Sequence, residues 1–303
     1  MPEIISNCPI CGSGNLNPFE DLHTGSQKIH YLICKRCGAI FQSPRMDASE
    51  LEAFYEREYR LLSQQTEDPT KKDLVMQEQR ARDSLKMIRD DLSKVSRHLD
   101  IGSSSGALLE EIHNEYGSEA IGIEPGEAYR RFSQQRGLQV LASLDSLTDQ
   151  AKRFDLVSMM HVLEHLRDPV ETLSEIRRDH MTLDSHLLVE VPNAFEHEAL
   201  EVAHLFAFTP ANLREIVHQS GFEVIWTKTH GGFRSPILKL YITLLARPSS
   251  KPHKIRSSPA LPWWIRTRRS FGKLKRTLFT RYLPDWTWQA PRALWDIEDD
   301  DLE

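Results

Sequence analysis

Arg97-His98-Leu99-Asp100-Ile101-Gly102-Ser103-Ser104-Ser105-Gly106 is the stretch whose reading decides the fold. A short apolar run closing on Asp100 passes into a glycine-bearing turn, and Ala107-Leu108-Leu109-Glu110-Glu111-Ile112 takes up helical spacing. Strand, tight turn, helix is how an α/β sheet offers free backbone N–H groups to a nucleotide-like ligand. Gly102 allows the turn, and Gly106 lets the helix pack close to the strand. Glycine turns after strands are common in α/β proteins without any ligand, so the flanking sequence decides the matter.

Downstream, Ala120-Ile121-Gly122-Ile123-Glu124 reads as an apolar strand closed by an acid, 22 residues beyond Gly102. A nucleotide-binding α/β fold places there the carboxylate that accepts hydrogen bonds from ribose hydroxyls; the alternative is a solvated strand end. Strands are further expected at Gln139–Ala142, Phe154–Met160 and His186–Pro192, with a helix beginning through His161-Val162-Leu163-Glu164-His165. Thr209 caps a helix with Pro210 at its first position and Gly221 at its end. Phe222–Thr229 and Ile237–Ala246, joined through Gly231-Gly232 without a helix, are expected to pair antiparallel.

This order resembles the class I S-adenosylmethionine-dependent methyltransferases, over about Lys71 to Arg247. The resemblance rests on Leu99–Gly106, Gly122-Ile123-Glu124-Pro125, Phe154-Asp155-Leu156-Val157 and His161-Val162-Leu163-Glu164-His165-Leu166. It implies a doubly wound, seven-stranded, mainly parallel Rossmann-like sheet. A dehydrogenase would want G-x-G-x-x-G, which G-S-S-S-G does not supply. By resemblance, Asp100, Gly102, Ser104 and Gly106 surround the methionine part of S-adenosylmethionine and Glu124 holds its ribose. Ala142 to Leu144 flank the adenine, and Met160 and His161 lie near the sulfonium. Ser104 stands where the family has a glycine, which a negative φ accommodates.

All four cysteines lie upstream, in Cys8-Pro9-Ile10-Cys11-Gly12 and Cys34-Lys35-Arg36-Cys37-Gly38. Two C-x-x-C-G knuckles 22 residues apart fit a tetrahedral Cys₄ zinc site, with a hairpin through Lys28–Ile33 spanning the gap. Disulfides are the alternative, disfavoured by the knuckle pairing. Ser49 is expected to cap a helix to about Leu62, and a long helix to cover Lys71 to about Leu92. The chain thus divides into a ribbon (1–46), a helical connector (47–70), the methyltransferase-like domain (71–247) and a C-terminal arm (248–303). Ribbon and core together look like the zinc-ribbon methyltransferases, many of which modify sugars in antibiotic or surface-polysaccharide pathways.

The chain has 303 residues, 27% of them charged, and net charge −6. No run approaches the length of a transmembrane helix and the start lacks the regions of a signal peptide, so a cytoplasmic protein is expected. Between Arg247 and Leu283 stand eleven Lys or Arg and no acid, so the body is acidic and the arm basic. Trp264, Phe271, Leu274, Leu278 and Tyr282 recur at helical spacing, with Arg269, Lys273 and Arg276 on another face. Such a helix suits an anionic membrane surface, packing on the core, or less readily a nucleic acid. Asp299-Asp300-Asp301 ends it as an acidic tail.

Methyl transfer from a sulfonium is an in-line displacement that needs an aligned acceptor and a place for its proton. His165, expected one helical turn after His161 and on the same face, and His204 in Ala203-His204-Leu205-Phe206-Ala207 are the candidate bases. A metal pair at His161 and His165 lacks an obvious third ligand. Related sugar C-methyltransferases carry E-H-x-x-Y at the later loop, and only the His is kept, which favours O-methylation. A sugar-containing small molecule is the expected acceptor. RNA or protein methylation, and a non-catalytic scaffold, are the alternatives.

Overall fold

The computed structural model describes residues 2–24, 27–54, 66, 68–147, 153–198, 200–250 and 262–289. The connector helix beyond residue 54, the start of the arm and the acidic tail lie outside them. At the N-terminus, Leu16–Thr24 (β1) and Gln27–Cys34 (β2) form the hairpin that spans the knuckles, and Ile40–Gln42 (β3) pairs antiparallel with β2. A helix, Ala48–Ala53 (α1), follows. Its cap is Asp47 rather than Ser49: the Asp47 carboxylate accepts from the Glu50 N–H, the Glu50 side chain answers to the Asp47 N–H, and the Ser49 hydroxyl donates to Asp47. A carboxylate is the better cap because it faces the positive end of the helix.

Thr70 caps Lys71–Ile88 (α2), which lays Ala81, Ser84, Leu85 and Ile88 on the sheet and stops one turn short of Leu92. The alternation that follows is Arg97–Ile101 (β4), Ala107–Tyr116 (α3), Glu119–Ile123 (β5), Glu127–Gln135 (α4), Gln139–Leu141 (β6), Phe154–Met160 (β7), Pro169–His180 (α5) and Met181–Pro192 (β8). Phe206–Ala207 (β9), Pro210–Gln219 (α6), Phe222–His230 (β10) and Tyr241–Pro248 (β11) complete the body. Pro262–Tyr282 (α7) and Pro284–Thr287 (α8) form the described part of the arm.

Seven strands make one sheet in the order β10-β11-β8-β7-β4-β5-β6, in which β11 pairs antiparallel with both its neighbours. The central parallel strands carry runs of fully buried apolar residues (Leu156 and Val157, and Leu187, Leu188 and Val189) because helices cover both faces. Their carboxyl ends open one edge, where such folds bind ligands. β3 takes a second partner, β9, so the ribbon sheet β1-β2-β3-β9 draws its last strand from the body.

The arm helix covers this joint. Ile265 enters an apolar cluster with Phe19, Tyr31, Ile33 and Ala207. The buried Arg269 guanidinium donates to Glu20 on β1. Gly272 permits the close approach, since a Cβ there would stand 1.9 Å from the Phe195 carbonyl oxygen.

Candidate active site

Asp100, Gly102, Ser104, Gly106 and Glu124 gather at the carboxyl ends of β4 and β5; Ala142 and Leu144 follow β6, and Met160 and His161 close β7. The turn after β4 does not present free N–H groups. Gly102 and Ser103 donate to the Ile123 carbonyl, Ser104 to Glu124 Oε2, Ser105 to Gln77 Oε1, and Gly106 to the Ser103 carbonyl. Gly102 and Gly106 have φ of 75° and 80°, and a Cβ at Gly102 would stand 2.4 Å from Val162. At Gly106 it would strike Leu138, so that glycine makes room for the turn before β6 rather than for the strand. Ser104 also lies in the left-handed region, at φ 49°, not at a negative φ. The Glu124 carboxylate and the Ser133 hydroxyl, which grip its N–H and C=O, hold it there.

Glu124 is buried, and each of its oxygens accepts one backbone N–H, from Ser104 and from Gly126. A carboxylate oxygen has two lone pairs, so this carboxylate is oriented yet keeps capacity for a diol. Asp100 sits deeper, accepting from the Ser158 hydroxyl at 2.6 Å, while that hydroxyl accepts from His98 Nε2 at 2.8 Å. Burial pushes Asp100 up to about 7 and pulls His98 down to about 3. Gln77 on α2 closes the loop from above, and Asp73 bonds both Gln77 and Tyr129.

His161 and His165 do not share a helical face. His161 has φ 58°, and only a single 3₁₀ turn, Leu163–His165, follows, so the two rings diverge. The His161 ring turns toward β8, with Nε2 3.1 Å from Glu190 and its face against Tyr241 at 5.2 Å. The buried Glu190 also accepts from Thr243 and lies 3.5 Å from His230 and 3.6 Å from Arg80; burial opposes ionisation, but His161 first, then His230 and Arg80, hold its carboxyl well below the usual range. Burial pulls His161 down, but the Glu164 and Glu190 carboxylates outweigh it and leave the imidazole raised.

His165 instead meets His204, with ring centroids 4.9 Å apart. Its Nδ1 donates to the Ala203 carbonyl at 3.0 Å, which puts the lone pair on Nε2, and burial lowers its pKa to about 4. Glu164 is buried beside the two rings; burial raises its pKa, and His161, His165 and His204 together bring it down to about 2. The turn carrying Glu164 and His165 begins at Val162, the residue a Cβ at Gly102 would strike.

The ribbon holds this loop in place. The single Tyr31 hydroxyl hydrogen is shared between the carbonyls of His204 at 2.6 Å and Glu201 at 2.9 Å, and the Gln42 amide reaches those two and Val202. The four cysteine sulfurs come together, with Cys8–Cys37 at 3.5 Å and Cys11–Cys34 at 3.6 Å, too far for disulfides. Gly12 and Gly38 take the left-handed turn after each knuckle. Sequence reasoning had no signal for the roles of Gln77, Arg80, Glu190 or Tyr31, which come from other segments; Glu164 stands inside the His161–Leu166 motif, and its spacing gave it no role.

A family model described as a methyltransferase domain matches residues 75–226, half of the chain. The ubiquinone biosynthesis O-methyltransferase of Hahella chejuensis is 32% identical over 90 residues, which cover 27% of this chain and 37% of that protein. Its counterpart from Coxiella burnetii is 30% identical over 93 residues, 28% of this chain and 39% of that protein. The chain therefore spans well under half the length of these curated relatives. Among solved structures, the 1,6-didemethyltoxoflavin-N1-methyltransferase of Burkholderia thailandensis, with bound 1,6-didemethyltoxoflavin and S-adenosylhomocysteine, aligns at TM-score 0.56 and 17% identity over 76% of this chain and 100% of that one. That likeness is one of fold.

Proposed function

The chain belongs to the methyltransferase-domain family, and from that footing we propose that it transfers the methyl group of S-adenosylmethionine to a hydroxyl of a small-molecule acceptor, a sugar or saccharide intermediate by preference. The observation that carries the reading is the buried His165–His204 pair, whose first ring follows the carboxyl end of β7, together with the buried Glu124 at the end of β5. Asp100, Gly102, Ser104, Gly106 and Glu124 hold the methionine part and ribose, with Ala142 and Leu144 at the adenine and Met160 and His161 toward the sulfur. The fit rests on Glu124, fixed by two N–H groups with lone pairs left for the ribose hydroxyls. The cofactor supplies an electrophilic methyl with a thioether leaving group.

The acceptor hydroxyl is activated at the His165–His204 pair. His165, neutral through burial and with its lone pair on Nε2, is competent to take a proton at neutral pH. Ring approach and orientation come from the loop that Tyr31 and Gln42 hold, so the ribbon serves the acceptor side. That use of its inner face argues against a ribbon that grips RNA or a protein. H204A, assayed with labelled S-adenosylmethionine against nucleotide sugars and phenols, should lose turnover at least about a hundredfold while binding the cofactor normally. Unchanged turnover with the true acceptor removes His204 as the base. Calorimetry in which the native protein ignores millimolar S-adenosylmethionine would instead make the fold a scaffold.

We propose zinc at Cys8, Cys11, Cys34 and Cys37. A tetrahedral ion with Zn–S near 2.3 Å sets sulfurs about 3.8 Å apart, close to the separations seen here. The arm offers a second contact. Trp264, Phe271, Leu274, Leu278 and Tyr282 form one exposed stripe on α7, with the exposed Arg268 and Arg281 on the same helix. No described helix is long and apolar enough to cross a membrane. We read the stripe as a peripheral contact with the inner, anionic face of a membrane, which suits a lipid-linked acceptor. Failure to float with anionic liposomes would rule it out.

A further inference from the structure

Glu164 is the anomaly of the acceptor side. It is 1% exposed, and neither carboxylate oxygen has a hydrogen-bond partner among the described residues. His161 Nδ1 stands 3.4 Å from Oε1, but without hydrogen-bonding geometry, and its Nε2 is already directed at Glu190. A buried carboxylate left in this state is strongly disfavoured unless positive charge meets it at close range.

Two further donors converge on it. One ligand atom each from Glu164, His165 and His204 lie within 4.8 Å of one another. Two imidazoles and a carboxylate are a donor set for zinc, manganese or iron, and three protein ligands leave a position open for a substrate oxygen. The surroundings also match a metal centre. The Ala203 carbonyl fixes His165 in the tautomer with its lone pair on Nε2, and the main chain of His204 is tied to Tyr31 and Gln42.

We propose that Glu164, His165 and His204 bind one divalent metal ion, separate from the ribbon site and open toward the acceptor. The ion's part in catalysis rests on the methyl-transfer reading above. An acceptor hydroxyl coordinated there gives up its proton to water, its oxygen bonds to the methyl carbon, and the carbon–sulfur bond breaks with the electron pair passing to sulfur. His165 and His204 then act through the ion rather than as lone bases.

The test is a titration of the full-length protein, loaded with one zinc per chain for the four cysteines, with Mn²⁺, followed by electron paramagnetic resonance. One Mn²⁺ per chain is expected, and E164Q and H204N should each weaken it by at least about tenfold while circular dichroism shows the fold intact. H204N lies on a loop and guards against a folding failure of E164Q. Absence of Mn²⁺ and Co²⁺ uptake by the native chain at millimolar metal, or equal affinity in both folded variants, overturns the proposal and leaves Glu164 as the counter-ion of His161. Calorimetry with S-adenosylmethionine separates the two readings. Cofactor binding without Mn²⁺ uptake sinks the metal alone, whereas Mn²⁺ uptake without cofactor binding keeps the metal and sinks methyl transfer.

Discussion

The glycine loop after β4, proposed as the donor side, and the Glu164–His165–His204 cluster, proposed as the acceptor side, are built on opposite plans. On the donor side every N–H from Gly102 to Gly106 is closed within the loop or onto Ile123, Glu124 and Gln77. Neighbouring parallel strands set its geometry, and it needs nothing from the ribbon. The acceptor side joins a 3₁₀ turn at Leu163–His165 to a loop at His204, and its loop is tied down by Tyr31 and Gln42. It also keeps a buried carboxylate without hydrogen bonds. A self-satisfied frame suits a ligand of constant shape, whereas a site closed by a distant element can be varied for different acceptors.

The largest effect should come from C37S, which breaks the four-cysteine cluster. Structural zinc contributes on the order of 10 kcal/mol to small zinc-dependent folds, so the ribbon should open and release the acceptor loop. Hydrogen exchange at residues 201–207 should accelerate by orders of magnitude while residues 97–106 stay protected. Equal protection of both would mean the two sides are not separately supported.

The donor side can be probed through its buried pair. Asp100 is protonated in the fold up to about pH 7 but ionises near 3.8 when unfolded, so the fold holds the extra proton and stability falls as pH rises between them. His98 does the reverse: neutral in the fold down to about 3, it takes a proton below 6.5 when unfolded, so stability rises with pH across that window. The two slopes nearly cancel. D100N removes the falling one, and its stability relative to the parent should climb by a few kcal/mol from pH 4 to 7 in urea titrations. A flat difference would mean Asp100 is ionised in the fold.

Two smaller changes sharpen the contrast. Q42A removes the amide that reaches three carbonyls of the acceptor loop, at a cost of about 1–3 kcal/mol. It should loosen residues 201–205 without altering cofactor affinity; a matching loss of cofactor would contradict the division. S104G relieves a left-handed serine, a conformation costing about 1–2 kcal/mol, but gains unfolded entropy. The net change in melting stability should stay within about 1 kcal/mol. A larger loss would assign the serine side chain a structural duty.

The donor frame was legible because it is local. The strand–turn–helix, Glu124 at its fixed distance and the two knuckles are each set by spacing along the chain. What escaped notice depends on distant contacts or on one dihedral. His161 and His165 read as neighbours on a helix, and the φ of 58° at His161 sends them to different partners. Glu164 carries no pattern that distinguishes it from a solvated helical acid until His204 arrives. The apolar repeat in the arm was visible, but not that those side chains face outward while Ile265 and Gly272 make the contact.

The pairing of β3 with β9 has a practical consequence. Ile40 and Phe41 bond to Ala207 and Phe206 across the joint between ribbon and body. Cutting the chain before Lys71 would leave that edge unpaired and strip the cover from Ala194, Leu200 and Ala207. The truncated body should be sticky and poorly soluble, because bare strand edges recruit other chains. For the same reason a ribbon borrowed from a relative will graft only if its own β9 partner travels with it.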